Sequence, residues 1–331
     1  MQSITLFICS YFLFSSVAFS QWYQDTFKVM GTLSHVEFWL DDDNDRLART
    51  DSQQQARALL FAVKEDMFRI DQQMSPYKSH SELSRINRLA SHQTVKISQE
   101  LFDLLQIAQD VAKLSEGAFD ITYASVGYQY DFRQRKKPTA SEISKTLPAI
   151  NYQAILLDSK KQTIHFALPN VRIDLGGIAK GYAVKRCLQI LQAASIKHAL
   201  VSAGGDTGLL GDRRGRPWLV GIKHPRADHK TAVHIPLVNE AISTSGDYER
   251  YFIEDGVRYH HIINPKTGDS AREVVSVSVI GKDPTYVDAL STTVFVKGLK
   301  QGLDLIERLP EFEAIIIDKN QRLHFSSGIQ P

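Results

Sequence analysis

Between residues 53 and 74 the apolar positions Ala56, Leu59, Leu60, Val63, Met67, Ile70 and Met74 recur at helical spacing. One face is apolar and the other polar, which predicts an amphipathic helix over 53–74. Ser98 opens a second periodic stretch as an N-cap, with Leu101, Leu104, Leu105, Ala108 and Val111 inward. Gly117 is its expected stop, because glycine takes a left-handed backbone at little cost. A short strand at 171–174 should lead into a third helix over 178–194 that buries Ala179, Ala183, Cys187, Ile190 and Leu191. From residue 199 the period shifts to two, predicting strands over 199–202, 218–222, 233–238, 250–253, 259–263 and 275–280. In the last of these Val275, Val277 and Val279 alternate with serines. Helices are expected again at 285–296 and 299–309, and strands at 314–318 and 322–325. Runs of strands joined by tight turns, with helices in blocks, point to an α+β fold of antiparallel sheets with packed helices rather than a regular βαβ alternation. No repeat or linker divides the chain, so residues 21–331 read as a single catalytic unit.

The first twenty residues, MQSITLFICSYFLFSSVAFS, hold no charged side chain and end in Ala18 and Ser20 ahead of Gln21. That pattern predicts a signal peptide over 1–20, although the usual positive start is missing, and no stable membrane span. The expected destination is the periplasm, if need be against the outer face of the inner membrane. Cleavage would remove Cys9 and leave Cys187 alone, so no internal disulfide is expected. Lys and Arg (39) almost balance Asp and Glu (37), which gives no general attraction to nucleic acid. The one dense basic run, RQRKKP at 133–138, reads as a solvated loop.

Three short patterns could carry chemistry. In IDLGGIAKGYAV (173–184) a strand ending at Asp174 turns through Gly176 and Gly177 into a helix with Lys180 in its first turn. Free amides and a lysine there favour an anion such as phosphate, but the glycine spacing matches neither the P-loop nor the dinucleotide fingerprint. In VDALSTTVFVKG (287–298) Asp288 and Thr292 fall four apart, on one helical face, where a hard cation could take both oxygens. In YHHIINPKTG (259–268) His260 and His261 should point to opposite faces of a strand, so only one can face a cleft. Taken singly, each pattern also fits an ordinary turn, cap or buried histidine. The acidic run DDDND at 41–45 lacks the glycine and closing glutamate of a calcium loop and reads as an exposed turn. Ser75 with Lys78, and Lys266-Thr267-Gly268, imitate a serine acyl-enzyme signature, but Pro76 follows the serine and the second element completes an Asn-Pro turn.

Together with KVMGT (28–32), MSPYKSHSELSRIN (74–87), SEGAFDITY (115–123), ALVSAGGD (199–206), PWLVGIKHP (217–225) and AISTSGDYERYF (241–252), these three segments occur in an order that resembles the ApbE family of FAD:protein FMN transferases. The resemblance implies a T-fold-like architecture, FAD as substrate, Mg²⁺, and FMN transfer to a threonine hydroxyl with release of AMP. The partner it implies is an acceptor protein with a D/S-G-A-T/S-like sequence, typically a membrane redox subunit. Carried over by motif, FAD contacts fall to Met30, Ser75, Tyr77, Glu82, Asn87, Ala118, Phe119, Asp120, Asp174, Lys180 and Ile262. Metal contacts fall to Asp288, Thr292 and the Gly177 carbonyl, with Ser291 a weaker candidate, and the catalytic histidine to His261. Loss of that histidine is expected to flatten the acid limb of the pH–rate profile. Lys185 stands where many relatives have aspartate, and Asp269-Ser270 replaces a common x-Pro. The same pocket could serve a Mg²⁺-dependent FAD pyrophosphatase, in which water replaces threonine, or a flavin-binding protein without turnover.

Overall fold

A computed structural model describes residues 21–40, 46–227 and 229–329; the expectations for 1–20 and 41–45 lie outside them. In chain order, β1 (Gln21–Val29) and β2 (Thr32–Leu40) form a hairpin ahead of the long helix α1 (Arg46–Met74). After it come α2 (Glu82–Leu89), β3 (Val95–Lys96), α3 (Gln99–Leu114), α4 (Ala124–Gly127) and α5 (Ala140–Thr146). Next are β4 (Ile155–Asp158), β5 (Thr163–Phe166), α6 (Ala179–Ala193), β6 (Ala199–Ala203) and β7 (Asp206–Leu210). Two ribbons flank a central strand: β8 (Trp218–Lys223) with β9 (Thr231–Leu237), then β10 (Ala241–Gly246), then β11 (Tyr251–Glu254) with β12 (Val257–His260). The chain closes with β13 (Val274–Gly281), α7 (Pro284–Ile306), β14 (Phe312–Asp318) and β15 (Leu323–Phe325).

Eight of the described strands form one sheet in the order β1-β2-β6-β7-β10-β13-β14-β15, and every neighbouring pair is antiparallel. Helices α6 and α7 lie on it and against each other, and α1 covers α6. The α+β expectation therefore holds. Met67 and Ile70 of α1 pack with Ala183, Cys187 and Leu191 of α6, all fully buried. Each large side chain among them contributes about 1.5–3 kcal/mol by leaving water. The expected inward stripe of α3 is buried throughout, and Ser98 caps it by accepting the Leu101 N–H at 3.3 Å. Gly117 takes φ +78° just beyond the end of that helix.

Two expectations change. Residues 171–175 join no sheet: side chains take the backbone groups of Arg172 and Ile173, and the Asp174 N–H goes to the Ile121 carbonyl at 3.0 Å. Asn87 clamps Ile173 from both sides (2.9 and 2.8 Å), and Ser125 accepts the Arg172 N–H at 3.0 Å. The two helices expected at 285–296 and 299–309 are present within α7, parted by a kink at Gly298 (φ 76°, ψ −174°). Strand β12 stops at His260, where Ile262 donates its N–H to the His260 ring instead of to a neighbouring strand. The 133–138 run is the exposed loop expected, yet it is pinned: Lys137 pairs with Glu254 at 2.5 Å and with the Tyr259 hydroxyl at 2.7 Å. No helix among the described residues is long and apolar enough to cross a membrane.

Candidate active site

Glycine brings α6 and α7 close enough to build the site. A Cβ on Gly181 would run into the Pro284 carbonyl oxygen and stand 2.6 Å from Asp288 Cβ. At this approach the Gly181 N–H, one of the unsatisfied donors of the first turn of α6, donates to Asp288 Oδ2 at 2.9 Å. Ile178, at the cap position, supplies no side-chain acceptor, so Asp288 caps α6 from the neighbouring helix. Its buried carboxyl is pushed above the usual carboxylate range, first by burial and then by Asp206, against the pull of Lys180 and the Gly181 N–H.

Lys180 lies between two carboxylates. Its ammonium contacts Asp206 directly and stays 3.7 Å from Asp288 Oδ1. Burial works against its charge, but the two carboxylates outweigh burial and raise its pKa. Beside this cluster runs a chain of hydroxyls. Ser243 is 3.1 Å from Ser291, Ser245 is 2.8 Å from Ser291, and Ser245 is 3.3 Å from Thr292. A Cβ on Gly177 would stand 3.1 Å from Thr292 Oγ1 and 3.4 Å from the Phe119 ring, so glycine lets the backbone run alongside that hydroxyl. Asp288 and Thr292 lie four residues apart on α7, and the Gly177 backbone passes beside the Thr292 hydroxyl, so three oxygen-bearing groups of the kind a hard cation takes occur in this region. Among the described residues no cluster of three or more His, Cys, Asp or Glu side chains forms a cage. Magnesium needs none, since it takes one or two carboxylates and fills up with other oxygens.

The two histidines are unlike. His260 is 2% exposed, with Nε2 2.6 Å from the Ala271 carbonyl and its ring edge-on to Phe295. Burial pushes it down to about 4. His261 is half-buried, and its Nδ1 is buried with no partner. Burial first, then the charges of His260, Arg250 and Lys180, push it down to about 3. Its imidazole is therefore neutral across the range where an ordinary histidine titrates, and the acid limb expected from this residue moves below about pH 4 in the free protein.

Asp174 leaves the clamped 171–175 segment facing Tyr123 and accepts the Gly176 N–H at 2.6 Å. Burial raises its pKa, while that N–H, the Tyr123 hydroxyl and Arg250 oppose the rise. Tyr77 is 82% exposed and lies in the field of Asp174 and Arg250. Met30 sits in a left-handed turn (φ 53°) next to Gly31, whose Cβ would stand 3.3 Å from Arg250 Nη2. Arg250 thus ties Tyr77, Asp174, Lys180 and His261 into one electrostatic neighbourhood, which Met30 adjoins.

Other candidates serve the scaffold. Glu82 spends its carboxylate on the Ser98 N–H and hydroxyl (both 2.7 Å) and on Gln73 (3.0 Å). Asn87 is the clamp on Ile173. Asp120 is buried, accepting from Thr122 and from the Tyr152 N–H at 2.9 Å. Ser75 accepts the Tyr77 N–H at 3.3 Å, while Lys78 pairs with Asp71, so the acyl-enzyme imitation does not assemble. Ala118 and Ile262 are buried. A cleft of about 390 Å³ is lined by Gly117, Asp120, Tyr152, Pro265 and Lys266; it borders the 115–123 segment without including Lys180 or His261. Sequence reasoning assigned no role to Arg250, Tyr123 or Asp206, although all three fall inside the segments that carry the resemblance. The departures from pattern are absorbed: Lys185 pairs with Asp283 at 2.5 Å, and the Ser270 hydroxyl bridges the His260 backbone (2.8 and 2.9 Å).

The model of the ApbE family matches residues 30–316. A FAD:protein FMN transferase of Haemophilus influenzae is 33% identical over 292 residues, covering 85% of this chain and 82% of the relative. One from Vibrio cholerae is 32% identical, covering 79% and 80%. Among solved structures, the ApbE protein of Thermotoga maritima superposes with a TM-score of 0.83 at 34% identity, covering 93% of this chain and 98% of that one. The Vibrio cholerae flavin transferase ApbE gives 0.79 at 28% identity with the same coverage.

Proposed function

The chain belongs to the ApbE family, and from that premise we propose that it transfers FMN from FAD to an acceptor protein. The acceptor atom is a threonine hydroxyl within a D/S-G-A-T/S-like sequence, the setting is a periplasmic domain of a membrane redox subunit, and the other product is AMP. The observation that carries the reading is a half-buried, neutral His261 in the field of Arg250 and Lys180. This is a proton acceptor beside two cationic side chains of the kind that neutralise a diphosphate.

The threonine oxygen forms a bond to the phosphorus on the FMN side, and the bond from that phosphorus to the AMP phosphate oxygen breaks. His261, half-buried and neutral, takes the hydroxyl proton. Lys180 and Arg250 hold the diphosphate by charge, and Tyr77, Met30 and Phe119 border the space for the flavin dinucleotide. Asp288, Thr292 and the Gly177 carbonyl are the donors for Mg²⁺. Their fit rests on the hard-oxygen set and on two buried carboxylates set against one ammonium. When bound, Mg²⁺ supplies neutralisation of the charge that develops on the phosphates.

The test combines the protein, FAD, Mg²⁺ and an acceptor domain, read by in-gel flavin fluorescence and by AMP release. The expected result is a fluorescent acceptor band that disappears when its threonine is replaced by alanine. AMP without a band would make the protein a FAD pyrophosphatase, and neither signal would make it a flavin binder.

A further inference from the structure

One carboxylate in the charge cluster, Asp206, is counted in that reading only for its charge and is assigned neither ligand nor catalytic work. Asp206 opens β7 directly after the Gly204-Gly205 turn and is 2% exposed. Its Oδ1 accepts the Ser243 hydroxyl at 2.5 Å and its Oδ2 holds the Lys180 ammonium, so neither oxygen is idle. The turn before it is pressed against β10, since a Cβ on Gly205 would stand 2.7 Å from the Thr244 carbonyl oxygen. The Asp206 carboxylate is thereby fixed in place, whereas lysine is a point charge on a flexible stem that settles wherever a carboxylate is presented. Asp288 spends Oδ2 on the Gly181 N–H and leaves Oδ1 3.7 Å from the ammonium.

We propose that Asp206 is a positioning residue that holds the Lys180 ammonium off Asp288 and so keeps Asp288 Oδ1 open to a divalent cation. The inference rests on the reading that Asp288 is a metal ligand. Without Asp206 the ammonium has one carboxylate left, and closing the gap lets it form a direct charge-assisted hydrogen bond to Oδ1. That would occupy the ligand oxygen and put a positive charge where the cation must sit. The competing account is that Asp206 acts only as a nearby negative charge, in which case its effect does not depend on Lys180.

A double-mutant cycle separates the two. Mn²⁺ is titrated into ligand-free protein and the free ion is followed by electron paramagnetic resonance, for wild type, Asp206→Asn, Lys180→Met and the double variant. Asparagine keeps an acceptor for Ser243, and thermal melts check that each variant is folded. With Lys180 present, Asp206→Asn should weaken Mn²⁺ binding about tenfold or more, and in the Lys180→Met background by no more than about twofold. The same factor in both backgrounds overturns the proposal. If Asp206→Asn does not fold, Asp206→Glu replaces it. That variant keeps the charge but displaces the ammonium, so it should still weaken Mn²⁺ in a Lys180-dependent way, and unchanged affinity overturns the proposal. Failure of the wild type to bind Mn²⁺ saturably refutes the metal reading beneath it, whereas saturable binding with additive variants refutes only the role of Asp206.

Discussion

Replacing His260 and His261 separately by alanine should split stability from chemistry. The His260 ring is buried, hydrogen-bonds the Ala271 carbonyl at 2.6 Å and accepts the Ile262 N–H at 3.3 Å. Truncation removes both partners and opens a cavity, at a combined cost of about 3–5 kcal/mol. For a chain of this size that is a fall in Tm of roughly 5–10 °C. His261 has no partner at Nδ1 to lose, so its alanine variant should melt within a few degrees of wild type. Its transfer rate should fall by about 10²–10⁴, the usual worth of a positioned base. Acid sensitivity follows from the His260 position. Its folded pKa of about 4 lies below the ordinary 6.5, so above pH 6.5 both states are neutral and it contributes no pH dependence. As pH falls from 6.5 to 4, the unfolded chain takes up a proton that the folded one refuses, and about 3 kcal/mol of stability is lost. His260→Ala should remove this share of the acid slope while lowering stability across the range, and the share carried by His261, whose pKa is also lowered, stays until that residue is replaced too. The checks are thermal melts from pH 4 to 8 and initial transfer rates at 20 °C from pH 5.5 to 8.5. Above pH 5.5, kcat/KM for wild type and His261→Ala should differ in height and not in shape. Equal rate defects in two folded variants, or a large Tm loss confined to His261→Ala, would refute the division.

Asp288→Ala should abolish transfer at limiting Mg²⁺, while Thr292→Val, which loses a neutral ligand, should reduce it less; full activity of the aspartate variant removes the metal assignment. FAD should bind more tightly than FMN, because the AMP half is the leaving group and has to be held; fluorescence quenching titrations decide this, and equal affinities count against it. Gly181→Ala should cost more than about 3 kcal/mol, because its Cβ meets the Pro284 backbone, whereas Gly215→Ala, with nothing within 4 Å but φ +85°, should cost about 1 kcal/mol. Chemical denaturation of the two variants measures the contrast.

Helices were legible because each buries one stripe. In α1, α3 and α6 the apolar spacing gives the inward face, although α1 starts seven residues earlier than periodicity suggests, and the short helices α2, α4 and α5 were not anticipated. Strands were legible where one face is apolar, and β10 shows why others were not. Its sequence AISTSG has no alternating apolar face, so it reads as a turn. In the fold Ser243 and Ser245 point to Asp206, Ser291 and Thr292, while Thr244 points the other way to Ser278 at 2.7 Å. Ser243 is buried and Ser245 half-buried against the site, so the strand's hydroxyls meet protein instead of water. The same cause hides Asp206, a carboxylate at a strand start whose partners come from β10 and α6, 37 and 26 residues away. Arg250 is hidden differently: an exposed arginine is unremarkable until the fold shows which charges it faces. Hydrophobic periodicity detects surfaces that leave water, so a strand lining a polar site escapes it. What betrays such a strand is a run of small hydroxyl residues too short and too free of glycine and proline to be a loop. The 241–245 stretch meets that description between two recognisable strands, and its side chains carry the hydroxyl chain that joins Lys180's carboxylates to the candidate metal ligands.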